Sequence, residues 1–326
     1  PICLTELESI GIMEKDESAK EIIENFKKTV EISEDGEISV RWPWKEGKRQ
    51  ELDSNTSLAF SRFMNFVNSP KTKDVWQEVV KQMKEQEESG IIEEAPASDG
   101  NPEYFIPYQV VKKDDSNTTK VRIVYDASSH LRGKASLNAS VNQGPAMIPD
   151  LLGILLRARC AKNLLISDIA KAFLQIRLQE IDRGVTKFYW LIDPSKPANK
   201  NNIRIMQFTR IPFGVNASPF LLTMSIKYFV EHSDANEWLK KAIDRDMYVD
   251  NLITSFENLE EMRMKYKESK EIFNRMKMNL REFVTNNREG MNEIPEKDRA
   301  RGSSQKLLGY KWILEKDTLL IKVPVR

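Results

Sequence analysis

Arg245-Asp246-Met247-Tyr248-Val249-Asp250-Asn251-Leu252-Ile253-Thr254-Ser255 is the stretch on which the fold turns. Two short apolar, β-prone runs meet there at the pair Asp250-Asn251. Asp and Asn favour turns, so the pattern predicts a tight hairpin with a carboxylate at its tip. A second candidate carboxylate lies upstream. Leu164-Leu165-Ile166-Ser167 reads as a buried strand, and it ends at Asp168.

Working outward, residues 1–56 read as an N-terminal extension or linker. It has an acidic patch over Glu31–Glu37 and an aromatic segment, Arg41-Trp42-Pro43-Trp44, that docks through its tryptophans. From Ser57 the pattern is helical, with Leu58, Phe60, Phe63, Met64 and Val67 on one side. Asp74 with Gln77 forms a capping-box pattern for a second helix, with Val75, Val79, Val80 and Met83 as its stripe and Gly90 as its end. Tyr104–Val111 and Val121–Tyr125 read as strands joined by the polar loop Lys112–Lys120. Pro149-Asp150 opens an apolar helix, and Ser218-Pro219 is a helix N-cap with proline at the first helical position. A long charged helix over 258–278 follows, and Leu307–Trp312 and Thr318–Val323 close the chain as strands. Helices and strands alternate irregularly, which makes the class α+β.

Composition narrows the chemistry. The 326 residues are 40% hydrophobic and 30% charged, as in an ordinary globular protein of two or three subdomains. No apolar run reaches the roughly 18 residues that a membrane span needs. Two cysteines, Cys3 and Cys160, cannot build a disulfide framework or a zinc site, so an intracellular setting, cytoplasmic or nuclear, is expected. His130 and His232 are the only histidines, which argues against His-based metal centres and Ser-His-Asp catalysis. The net charge of +1 is mild for a nucleic-acid binder, although a basic groove can sit on a neutral molecule. The start at Pro1 suggests a piece of a longer chain.

Phosphoryl transfer to a nucleotide needs carboxylates from separate strands, because two divalent ions must clamp the attacking and leaving oxygens. Asp168 and Asp250, each closing a strand, fit that need. Singly, each is also an ordinary strand-end aspartate. Phe173, in Ala170-Lys171-Ala172-Phe173, is a bulky ring that could lie beside an incoming sugar, or simply pack in a core.

The ordered set is more specific than its members. Arg122 lies in Lys120-Val-Arg-Ile-Val-Tyr-Asp126, Asp168 in Ser167-Asp-Ile-Ala-Lys-Ala-Phe173, and Arg210-Ile-Pro-Phe-Gly-Val-Asn-Ala-Ser-Pro219 precedes the hairpin. Leu308-Gly309-Tyr310-Lys311-Trp312 follows it. This succession resembles the fingers and palm of a reverse transcriptase over nearly the whole chain. More narrowly it is similar to the Pao/BEL class of long-terminal-repeat retrotransposons. That flavour comes from Leu7-Glu-Ser-Ile-Gly-Ile12, Val124-Tyr-Asp-Ala-Ser128, Ser136-Leu-Asn138, Asp150-Leu-Leu-Gly-Ile-Leu-Leu-Arg157 and Phe188-Tyr-Trp190.

The resemblance implies a right-hand polymerase fold, with fingers over 57–163 and palm over 164–326. Thumb, RNase H and integrase are not seen in the sequence. It implies that Asp168 and Asp250 hold two Mg²⁺ ions, which Mn²⁺ can replace, and that Phe173 excludes a ribose 2′-hydroxyl. Arg122, Lys112 and Lys113 would contact the triphosphate, or else belong to a solvated loop. Phe213 and Gly214 would pack on the nascent base pair, the glycine letting backbone approach the template. Leu308, Gly309 and Tyr310 would form the primer grip, or merely a palm edge. The implied partners are an RNA template and a DNA or RNA primer.

Two positions depart from the family. The turn carries Asn251 where a second catalytic aspartate is expected, removing one negative charge from a site that must hold divalent cations. Asparagine would also suit a turn position with positive φ. At Asn279-Leu-Arg-Glu-Phe-Val-Thr-Asn286, a lysine that can protonate leaving pyrophosphate is replaced by Arg281, followed by Glu282. Two readings follow. One is a working but weakened RNA-directed DNA polymerase. The other is a domesticated, inactive scaffold that binds protein or RNA, or self-associates, with an exposed apolar patch on Trp42 and Trp44.

Overall fold

The computed structural model describes residues 18–98, 100–112, 121–302, 304–308 and 310–320. The first part of the chain runs α1 (18–29), β1 (Glu31–Ile32), β2 (Ile38–Val40), α2 (Thr56–Asn68), α3 (Trp76–Glu88) and β3 (Ile92–Glu94). Then come β4 (Tyr108–Lys112), β5 (Val121–Tyr125), α4 (Leu137–Ser140), α5 (Leu151–Cys160) and β6 (Asn163–Ile169). They are followed by β7 (Arg177–Leu178), α6 (Glu180–Arg183), β8 (Phe188–Leu191), β9 (Ile203–Phe208), α7 (Ser218–Glu231) and α8 (Glu237–Arg245). The last part holds β10 (Met247–Tyr248), β11 (Asn251–Phe256), α9 (Leu259–Arg275), β12 (Leu280–Thr285), α10 (Arg288–Glu293), β13 (Ser304–Leu307), β14 (Tyr310–Ile313) and β15 (Thr318–Leu320). The class is α+β. Among the described residues no helix is long and apolar enough to cross a membrane.

The chain divides into two compact units, one of 1–31, 38–145 and 173–221, the other of 32–37, 146–172 and 222–326. In the first unit, β3, β9 and β8 form an antiparallel sheet, and β4 and β5 form a hairpin. Its core is aromatic. Tyr125 packs edge-on against Phe208 with ring centres 4.8 Å apart, and Tyr108 against Phe188 at 5.8 Å. Full burial pushes both tyrosine hydroxyls far above their usual range, and the Tyr108 hydroxyl donates to the Tyr189 carbonyl at 2.9 Å. α3 buries Val79 and Met83 as its periodicity predicts. The expected capping box does not form. A 3₁₀ turn over Pro70–Val75 takes in Asp74, the helix starts at Trp76, and no side chain caps it. Proline's fixed φ favours such a turn and delays the helix.

The aromatic segment is anchored in this unit. Asp182 is 0% exposed, and its oxygens accept from the Trp42 backbone N–H at 3.0 Å, the Trp44 indole at 3.1 Å, Arg49 Nε at 3.3 Å and Arg41 Nε at 3.4 Å. Trp42 is buried and Trp44 half-buried. The tryptophans therefore do dock, but they form no exposed apolar patch. A buried carboxylate without water must gather donors, and these are the donors it gathers.

In the second unit the sheet order is β10-β11-β6-β12, so β6 is central. On one face Leu164, Ile166, Ile253 and Val284 pack with Ile154 and Ala158 of α5 and with Leu307 and Trp312. α9 is capped by Asn258, whose side chain accepts from the Glu261 N–H at 3.0 Å. β13, β14 and β15 form a separate antiparallel sheet.

Candidate active site

β6 carries Asp168 between two antiparallel neighbours. Asn251 of β11 lies directly opposite it on one side, and Arg281 of β12 on the other. Residues directly opposite in a ladder share a face, so both departures from the family pattern adjoin the first aspartate. Asp250 sits one residue before Asn251, and its carbonyl accepts from the Ile169 N–H at 2.8 Å.

The hairpin tip is shifted one residue from its expected place. Tyr248 pairs with Asn251, so Val249 and Asp250 form the two-residue loop and Asn251 begins the strand. Positive φ falls on Val249, at 56°, and Asn251 is not among the positive-φ residues. The suggestion that asparagine serves an unusual backbone conformation is thereby corrected. Val249 takes the loop position that glycine fills in type II′ turns, a strained place for a β-branched residue. Lys171 and Glu282 also have positive φ, at 51° each. Non-glycine strain gathers at functional sites, and here three such residues flank Asp168 in sequence or across the sheet.

The carboxylates meet donors from the chain itself. Asn251 Nδ2 donates to Asp250 Oδ1 at 2.6 Å. Arg281 Nε lies 3.4 Å from Asp168 Oδ1. Burial, reinforced by the carboxylates of Glu282 and Asp250, pushes Asp168 up to about 6 against the opposing pull of Arg281. Burial raises Asp250 too, opposed by its backbone hydrogen bond and by the Asn251 amide. Glu282, read from sequence only as the residue after Arg281, proves to be the strongest charge acting to raise Asp168. No local signal could have found it, because its approach depends on the β12 register.

Of the other expected site residues, Phe173, Phe213, Gly214 and Arg122 lie in the first unit. Phe173 is 8% exposed and meets Phe213, 52% exposed, edge-on with ring centres 4.6 Å apart. Phe173 is thus the buried member of the pair and Phe213 the exposed one. Arg122 is exposed on β5, opposite Val111. Lys112 ends β4, but its side chain and all of Lys113 lie outside the described residues. In the second unit Leu308 is half-buried at φ 48° between β13 and β14, Tyr310 begins β14, and Gly309 lies outside the described residues.

Gly214 is approached closely by the backbone of Tyr125. Its φ is +100°, and a Cβ there would stand 2.1 Å from the Tyr125 carbonyl oxygen. The backbone that approaches this glycine is the chain's own. Asn138 completes the clamp: its Nδ2 donates to the Gly214 carbonyl at 3.1 Å and its Oδ1 accepts from the Asn216 N–H at 2.9 Å. Gly214→Ala is expected to cost at least about 2 kcal/mol, read by denaturant unfolding. A loss under about 0.5 kcal/mol would show that the turn relaxes away from Tyr125.

Residues 113–283, just over half of the chain, match the family described as reverse transcriptase (RNA-dependent DNA polymerase). No curated protein matches. Among solved structures, the chain is similar to the foamy viral protease-reverse transcriptase in complex with an RNA/DNA hybrid. There the identity is 17% and the TM-score 0.48, over 76% of this chain and 26% of that one. It is also similar to the foamy viral protease-reverse transcriptase dRH in complex with double-stranded DNA, at 18% identity and TM-score 0.47, over 76% of this chain and 34% of that one. The chain thus spans about a third or less of the length of these two proteins. With Asp168 on β6, Asp250 at the tip of the adjoining β10–β11 hairpin and the family match running from residue 113 into β12, the chain belongs to the reverse transcriptase family.

Proposed function

We propose that the chain performs RNA-templated DNA synthesis by two-metal nucleotidyl transfer, at a rate lowered by Asn251. The observation that carries this reading is the register that sets Asp168 opposite Asn251, with Asp250 adjoining. Among the described residues no three His, Cys, Asp or Glu side chains are grouped to hold a metal. Mg²⁺ binds through one or two carboxylates, with substrate phosphates and waters filling the remaining positions. Asp168 and Asp250 would hold it, and the bound ions would activate the primer 3′-hydroxyl and neutralise charge on the α-phosphate. Phe173, backed by Phe213, would exclude a 2′-hydroxyl, and the exposed guanidinium of Arg122 would receive the triphosphate. Leu308 and Tyr310 would grip the primer. The motifs quoted above support a Pao/BEL-type parent.

Primer extension on an RNA template, in Mg²⁺ and in Mn²⁺, tests the reading. Extension by the chain as written should vanish in Asp168→Ala. Asn251→Asp is expected to raise it by on the order of tenfold, equivalent to about 1.4 kcal/mol of barrier. Unchanged or lower extension in Asn251→Asp would refute the weakening, and extension that survives Asp168→Ala would refute the site.

A further inference from the structure

Resting on that reading of the site, we infer that Arg281 is a resident counter-ion that competes with divalent metal for Asp168. Three observations converge on it. Arg281 is the direct cross-strand partner of Asp168 and reaches Oδ1 with Nε at 3.4 Å. The β12–β6 register breaks between Arg281 and Val284, where Glu282 adopts φ 51°. Such a bulge twists its strand and re-aims side chains, here holding the guanidinium over the aspartate. The second carboxylate has an internal donor as well, since Asn251 Nδ2 lies 2.6 Å from Asp250 Oδ1. One oxygen of each aspartate is therefore engaged by the chain itself.

Arginine stays charged at any working pH, so loss of its own proton cannot release it, and a metal gains full access to Asp168 when the side chain swings away. At 45% exposure the side chain has solvent to swing into. Arg281 is thus a positioning residue: it raises the metal concentration at which the site fills. The Asn251 amide acts in the same direction at Asp250.

Mn²⁺ binding is measured by the electron paramagnetic resonance of free Mn²⁺ at fixed pH and ionic strength. The samples are the parent chain, Arg281→Gln, Arg281→Met, Arg281→Lys and Asp168→Asn, with a melting curve in EDTA for each. Removing the charge from a partly exposed ion pair is expected to tighten Mn²⁺ about two- to fivefold in both neutral variants. Arg281→Lys, which keeps the charge, should stay nearer the parent, and Asp168→Asn should lose the site. Using two neutral variants guards against one that fails to fold. Asp168-dependent binding that is unchanged or weaker in folded Arg281→Gln and Arg281→Met overturns the competition and leaves the metal reading intact. No Asp168-dependent binding in any of these proteins overturns both.

Discussion

Asp182→Ala is expected to destabilise the protein by about 3–5 kcal/mol, the range found when one partner of a buried charge cluster is removed. The carboxylate is wholly buried and serves Arg41 Nε, Arg49 Nε, the Trp44 indole and the Trp42 backbone N–H together. Without it, two guanidinium groups and two N–H donors face a cavity that brings no compensating acceptor. Arg41 and Arg49 can turn partly to water, which keeps the loss from being larger. Denaturant unfolding followed by tryptophan fluorescence reads both consequences, the stability and the release of Trp42 and Trp44. Asp182→Asn keeps an acceptor and loses the charge, so an intermediate loss is expected. If Asp182→Ala cost less than about 1 kcal/mol, the cluster would be an arrangement of convenience and the aromatic segment would be held by apolar burial alone.

The second large effect has the opposite sign. Asp168→Asn should stabilise the protein at pH 8 while abolishing primer extension. The carboxyl of Asp168 is raised from 3.8 to about 6 by burial and by the neighbouring carboxylates of Glu282 and Asp250, against Arg281. A raised carboxyl binds its proton more tightly when folded, so its contribution favours folding below pH 4 and is lost as pH rises through about 6. Above that the ionised group costs up to about 3 kcal/mol, at about 1.4 kcal/mol for each pH step between the two values. The side chain is 30% exposed, and solvent screening brings the expected gain to about 1–3 kcal/mol at pH 8. At pH 5 it should fall to about half. Unfolding curves of both proteins at the two pH values, without metal, check this. A gain independent of pH would mean that Asp168 is not the group under strain. Catalytic groups are commonly held at such a cost to stability.

Much of this protein can be read along the chain. The apolar run before Asp168 and the β-prone runs around Asp250 are local patterns with period and turn signals; β6 forms where they predict, and β10 and β11 form with the hairpin tip one residue earlier. Of the expected stripe Val75, Val79, Val80 and Met83, all but the half-buried Val80 are buried, because helical periodicity is also a local property. On α2 the same reasoning placed Phe60 inside, whereas Ala59, Phe63 and Phe66 form the buried row and Phe60 is exposed. A helix with apolar residues on adjacent faces offers more than one stripe, and its neighbours choose between them.

Other features had no local signature. Asp182 drew no notice in the sequence because a carboxylate after Gln179-Glu180-Ile181 looks like an ordinary solvated charge. Its partners at 41, 42, 44 and 49 are far away along the chain, and only folding brings them together. Gly214 signalled close approach correctly, but a missing Cβ does not reveal whether substrate or, as here, Tyr125 fills the space.

Legible along the chain were the reverse-transcriptase family, the strand that ends near Asp168, the hairpin that presents Asp250, and the chemical fact that residue 251 is neutral. Tertiary structure alone decided that Asn251 and Arg281 both stand opposite Asp168, that Val249 rather than Asn251 bears the strained backbone, and that Glu282 acts on the site. The reason lies in β pairing. Strand identity is written in side chains a few residues apart, whereas register joins residues about a hundred positions apart and is settled only when the whole sheet packs.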